Sequence, residues 1–176
     1  MIVEATAVAR RERPSEFALV REDGLEERAK AYLHPGHLFV AEQPTTITTI
    51  LGSCVSVCLY DATIGVGGAN HYLLPHASND ALMSPRFSGG AVGRLIERMI
   101  ALGSNRASMR AKVFGGACVL DAFRERENHL GIQNADAARR LLDAEGIVIE
   151  AEDVGGSRSR KLLFQTDDGT AWVRFL

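Results

Sequence analysis

The chain has 176 residues, about one domain's worth, with 46% apolar and 24% charged residues and a formal charge of -2. That near-neutral balance excludes the strongly basic footprint of a nucleic-acid binder, and no apolar run approaches the roughly 18 residues a membrane span needs. The start turns charged after Ile2 and Val3, unlike a secretory leader, so the three cysteines read as reduced thiols of a cytoplasmic protein.

Residues 1–33 mix charges of both signs, from Arg10–Arg13 and again from Arg21–Lys30, and Pro14 and Gly24 interrupt them. Without sustained apolar periodicity, they are expected to form an N-terminal extension, either a flexible segment or a docking arm for a partner. A folded domain is expected over residues 34–176.

Short runs rich in Val, Ile, Thr and Leu at 37–42, 46–51 and 54–60 read as strands. In the last of them Val55, Val57 and Leu59 alternate with Ser56, Cys58 and Tyr60, a period of two. A further strand is expected over 67–74, ended by Pro75. Ala91, Val92, Leu95, Ile96, Met99 and Ile100 then recur at helical spacing, and Gly103 supplies the stop. A short strand at 111–114 runs into Gly115-Gly116. A second helix is expected over 134–145, with Asn134 as its cap and Gly146 after its end. A strand at 147–150 follows, and Asp167-Asp168-Gly169 turns a closing hairpin of 161–165 and 171–175. Many strands, two helices and no repeat predict a single α+β domain with its helices on one face of a sheet layer.

The densest chemistry lies between Thr45 and Cys54 and in Gly67-Gly-Ala-Asn-His71. Gly52 is expected to let the backbone turn tightly and leave the Cys54 sulfur approachable. A thiol is mostly protonated at neutral pH and needs a neighbouring base. His71 follows 17 residues on, a gap that fits a strand, a turn at 61–65 and a return strand. Thr48 and Asn70 are the local candidates to orient that histidine. Ser53 and Cys54 could offer backbone N–H groups to an oxyanion.

A zinc site built on Cys54, Cys58, His71 and Cys118 is disfavoured, because a CxxxC on an extended strand holds its thiols too far apart. The Gly67-Gly68 and Gly115-Gly116 pairs lack the rest of any phosphate-binding fingerprint. On the residues alone, Cys54 stays open between a small buried hydrophobe and a nucleophile.

Several segments together resemble one family. They are Leu51-Gly-Ser-Cys-Val-Ser-Val-Cys-Leu-Tyr-Asp61, Gly68-Ala-Asn-His-Tyr-Leu-Leu-Pro75, Phe114-Gly-Gly-Ala117, Gly131-Ile-Gln-Asn134 and Glu152-Asp-Val-Gly-Gly-Ser-Arg158. In this order, from about His34 to the C-terminus, they are similar to the chemoreceptor glutamine deamidases of the CheD family. The resemblance implies a three-layer α/β/β sandwich with Cys54 as nucleophile, His71 as base and Thr48 as the third catalytic residue. Ser53, Asn70 and Gly52 would support them, with no cofactor and no metal. It also implies hydrolysis of selected glutamines of methyl-accepting chemotaxis receptors to glutamate, with release of ammonia. A CheC-like phosphatase of the response regulator is the further partner it suggests. Two other readings use the same chain: a non-catalytic module that regulates such a phosphatase, and a receptor methylesterase acting through the same Cys-His pair.

Overall fold

A computed structural model of the chain describes residues 2–3, 28–76, 84–120 and 128–176. Most of the expected N-terminal extension, including its charged stretches up to residue 27, lies outside the described residues. Among the described residues, ten strands form two sheets. One sheet contains β1 (Ile2–Val3), β10 (Ala171–Phe175), β9 (Arg160–Gln165), β4 (Thr45–Leu51) and β2 (Ala29–Tyr32), in that spatial order. The other runs β3 (Leu38–Ala41), β6 (Val66–Asn70), β5 (Val55–Asp61), β7 (Arg110–Gly115) and β8 (Val148–Val154). Helices α1 (Ser88–Ala101) and α2 (Leu130–Ala144) cover the second sheet. The α+β class and the three-layer α/β/β order are therefore as the sequence led us to expect.

Strand alternation explains why there are two cores. Along β5, Val55, Val57 and Leu59 face the helices and pack with Val92, Leu95, Ile96 and Met99 of α1 and Ala138 and Leu142 of α2. Cys58 and Tyr60 face the other way and join Ile47, Leu51, Leu162 and Phe164 of the first sheet. All seven residues of β5 are buried, as befits the middle strand of the middle layer. Each fully buried Leu or Ile contributes about 2 kcal/mol of transfer free energy.

Two expected elements shift. The strand expected over 67–74 stops at Asn70, because the Asn70 side-chain oxygen, not its carbonyl, takes the Val57 N–H (2.9 Å). Only isolated bridges at Tyr72 and Leu74 continue the pairing. Helix α2 begins at Leu130 rather than Asn134. His129 is its cap, accepting the Ile132 N–H on Nδ1 (3.3 Å), which places Asn134 inside the helix and fully buried. Among the described residues, no helix is long and apolar enough to cross a membrane.

Candidate active site

β5 and β6 run antiparallel with Cys58 opposite Ala69, and the isolated bridge pairs Val55 with Tyr72. This unbroken register sets Ser56 opposite His71 and Cys54 one diagonal step away, all on the face turned toward the first sheet. Cys54 sits in the bend just before β5 and is half-buried, packed against the core between the sheets.

His71 is 1% exposed, and its imidazole reaches across to β4, where Nδ1 lies 2.9 Å from Thr49 Oγ1. The Thr49 hydroxyl has one proton, and that proton goes to the Leu33 carbonyl (2.8 Å). Thr49 Oγ1 must therefore accept from His71, which fixes the proton on Nδ1 and leaves Nε2 with its lone pair. Nε2 is buried and meets no protein partner among the described residues. Burial lowers the imidazole pKa to about 4, against a smaller opposing contribution from the Leu33 carbonyl, so His71 is neutral at neutral pH. Burial also raises the Cys54 thiol, partly offset by its own backbone N–H. The resting pair is thus a neutral thiol and a neutral imidazole with a free acceptor nitrogen.

The hydroxyl bonded to His71 belongs to Thr49, whereas the sequence expectation named Thr48. Thr45, Ile47, Thr49 and Leu51 form the buried side of β4, whereas Thr46, Thr48 and Ile50 form the other. Thr48 is half-buried and lies opposite Tyr32 on one side and Leu163 on the other. Its backbone carbonyl accepts the Leu33 N–H (2.9 Å), so Thr48 helps hold the strand whose carbonyl Thr49 uses.

The supporting residues are placed differently from what the sequence suggested. Asn70 bonds the β5 backbone rather than the imidazole. Gly52 is outside the left-handed region, and a Cβ there would meet Val119 at an ordinary 3.6 Å. The close approach falls instead at Gly115, which has φ +111, and where a Cβ would lie 2.2 Å from the Cys54 carbonyl oxygen. Gly116 N–H donates to that same oxygen (2.8 Å), and Ala117 N–H donates to the Gly52 carbonyl (2.8 Å). The 115–117 loop therefore grips the backbone on both sides of Ser53.

A family model described as "CheD chemotactic sensory transduction" matches residues 73–175, more than half of the chain. A probable chemoreceptor glutamine deamidase CheD 1 of Anaeromyxobacter dehalogenans is 53% identical over 150 residues, covering 85% of this chain and 86% of that protein. The chain belongs to the CheD family. A second family member, a probable chemoreceptor glutamine deamidase of Sulfurimonas denitrificans, is 41% identical over 150 residues, 85% of this chain and 96% of its own length. A solved structure, the hypothetical protein YfiH of Bacillus licheniformis, shares 19% identity at a TM-score of 0.40, over 62% of this chain and 48% of that one.

For this member of the CheD family, the segment 152–158 also has a definite place. The buried Arg160 guanidinium bonds the Asp153 carboxylate and carbonyl and the Gly155 carbonyl. Gly155 N–H donates to the Gly115 carbonyl (2.9 Å), and Cys118 N–H donates to that of Gly156 (2.8 Å), so this turn backs the 115–117 loop. Cys58 is fully buried, and burial pushes its thiol up to about 12, which leaves it inert. Ser53, Cys118, Val119, Leu120, Leu130 and neighbouring residues line a mainly apolar cavity of about 350 Å³ next to the Cys54 bend. Among the described residues, no group of three His, Cys, Asp or Glu side chains converges to hold a metal ion.

Two residues at this site escaped the sequence reading, Thr49 and Asn134. Thr49 shares its buried face with Ile47 and Leu51, but Thr45 on that face and Ile50 on the other blur the alternation in the sequence. The Asn134 side chain donates from Nδ2 to the carbonyls of Ser53 and Leu73, both at 2.9 Å.

Proposed function

We propose that this chain is a glutamine deamidase of chemoreceptors, the activity for which its relatives in Anaeromyxobacter dehalogenans and Sulfurimonas denitrificans are named. Its nucleophile is Cys54 and its base is His71. The observation that carries the chemistry is the Leu33–Thr49–His71 chain of hydrogen bonds, which supports a neutral imidazole with Nε2 ready to accept a proton.

In this reading Nε2 takes the Cys54 proton as the sulfur attacks the side-chain carbonyl carbon of a receptor glutamine. The resulting oxyanion accepts the Cys54 backbone N–H, a donor worth about 3 kcal/mol in comparable sites. His71 returns the proton to the amide nitrogen, the C–N bond breaks, and ammonia leaves a thioester on Cys54. Water, deprotonated by Nε2, then attacks the thioester carbon. The C–S bond breaks, the sulfur recovers a proton and the product is glutamate. Thr49 and not Thr48 is the positioning hydroxyl. The cavity beside Ser53 suits the apolar stem of the substrate and its flanking residues.

On this proposal the enzyme works in the cytoplasm, on the signalling portions of methyl-accepting receptors. A response-regulator phosphatase of the CheC type belongs to the same proposal as a further partner.

The test incubates receptor cytoplasmic fragments with wild type and with Cys54→Ala, follows ammonia, and maps receptor peptides by mass spectrometry. Glutamine-to-glutamate conversion by wild type alone is expected. Ammonia release by Cys54→Ala at the wild-type rate would sink the reading. Peptides made lighter by loss of a methyl ester would point to the esterase, and unchanged peptides to a non-catalytic module.

A further inference from the structure

Asn134 stands on the second turn of α2, away from the Cys54–His71 pair in sequence yet bonded to both sides of it. Its Nδ2 has two protons, and each goes to a different backbone carbonyl: Ser53, the residue before Cys54, and Leu73, two residues after His71. Its own backbone carbonyl accepts the Tyr72 hydroxyl, which adds a third tie to the strand that holds the histidine. Oδ1 is buried and has no partner among the described residues. A buried carbonyl left unpaired is costly, so the carboxamide is held there by what its nitrogen does. Where it sits is fixed by backbone contact. Gly131, in the first turn of α2, lies against Gly116, and a Cβ on Gly131 would come within 2.2 Å of the Gly116 carbonyl oxygen.

We infer that Asn134 is a positioning residue: it sets the spacing of Cys54 and His71 and fixes the orientation of the Ser53–Cys54 peptide next to the reacting sulfur. A trans peptide points its C=O and N–H in opposite directions. Holding the Ser53 carbonyl on Asn134 therefore directs the Cys54 N–H away from α2. Because one nitrogen binds both carbonyls, the nucleophile's bend and the base's strand cannot drift apart without breaking a buried hydrogen bond. This role rests on the Cys54–His71 reading proposed above.

The test compares wild type with Asn134→Leu, which keeps the volume without donors, and Asn134→Ala, which loses both. Rates are expressed per folded molecule, with the folded fraction taken from near-ultraviolet circular dichroism. Two readouts are used: kcat and KM on a receptor fragment, and the pH profile of Cys54 alkylation by iodoacetamide. A positioning role gives both variants a similar fall in kcat, about 100-fold, with KM within about two-fold, although Ala lowers the melting temperature more. It also moves the alkylation profile to higher pH in both.

A kcat within two-fold of wild type in either variant overturns the inference. So does an unchanged alkylation profile, or a loss that follows packing, larger in Ala than in Leu. If wild type modifies no receptor fragment, the deamidase reading fails while the alkylation profile still decides the role of Asn134. Should neither variant fold, wild-type NMR decides instead. Both Asn134 side-chain amide protons are expected to be protected from exchange, and rapid exchange of either overturns the clamp.

Discussion

Thr49 and His71 share a hydrogen bond of 2.9 Å whose direction is fixed by a third group. The Leu33 carbonyl takes the only hydroxyl proton, so the imidazole must donate from Nδ1. Strand β4 of one sheet is thereby joined to the segment that follows β6 of the other, at the residue expected to act as base. The bond also decides which nitrogen carries the proton and which keeps its lone pair, a matter that proximity alone leaves open.

The first consequence separates two adjacent threonines. Thr49→Val preserves shape but leaves both the Nδ1–H and the Leu33 carbonyl unpaired in a buried place. It should cost about 2 kcal/mol in urea denaturation and lower kcat about 100-fold, the range expected when a general base loses its orientation. Thr49→Ser should restore most of both. Thr48→Val, on the other face of β4, should stay within about 0.5 kcal/mol of wild type and keep its activity. The reverse ranking of the two valine variants would return the role to Thr48.

The second consequence concerns pH. His71 has an ordinary value of 6.5 when unfolded and about 4 in the folded protein, because burial penalises the imidazolium. Between those values the unfolded chain binds a proton that the folded one does not. Acidification through that window therefore favours unfolding, while above pH 6.5 this group contributes no slope. The loss amounts to at most about 3 kcal/mol at pH 4. His71→Gln should remove that part of the decline, measured as the difference in unfolding free energy between pH 7.5 and 4.5. The acid limb of kcat/KM should likewise lie near pH 4 and show no inflection near 6.5. An identical pH dependence of stability in wild type and His71→Gln would show that the folded histidine is not held neutral.

How far the sequence reaches can be judged from single residues. Period-two alternation in β5 placed Val55, Val57 and Leu59 on one face and Cys58 on the other, because both faces of that strand are filled and each side chain has one place to go. β4 was harder to read. Its exposed side carries Ile50, 45% exposed, and its buried side carries Thr45 and Thr49, so hydrophobicity gives no clean parity. The resemblance points to Thr48, and the contact falls one residue on, at Thr49. Asn134 suits a helix cap, so the sequence places the start of α2 there. The true start of α2 is set by His129 and by the Gly116–Gly131 backbone contact, a long-range feature without local trace. The pairing of β2 with β4 is parallel and equally hard to see, since four residues of mixed polarity carry no strand signal by themselves.

The glycines give the last test, because sequence and structure assign the tight spot to different residues. Gly52 precedes the nucleophile but takes a conformation open to other residues, and its nearest neighbour to an added Cβ, Val119, is a side chain at 3.6 Å. Gly52→Ala should therefore fold within about 1 kcal/mol of wild type. Gly115 is distant in sequence yet lies against the Cys54 carbonyl, with a φ of +111 that L side chains rarely adopt. Gly115→Ala must both strain its backbone and push the Cys54 bend away, which should cost about 3 kcal/mol or more. The displaced bend also breaks the Gly116 N–H bond to the Cys54 carbonyl, so the surviving folded molecules should alkylate Cys54 with an altered pH profile. Urea denaturation of the two variants side by side decides the matter. A larger loss for Gly52→Ala than for Gly115→Ala would mean that the bend is shaped from within, by its own glycine, rather than held from across β7.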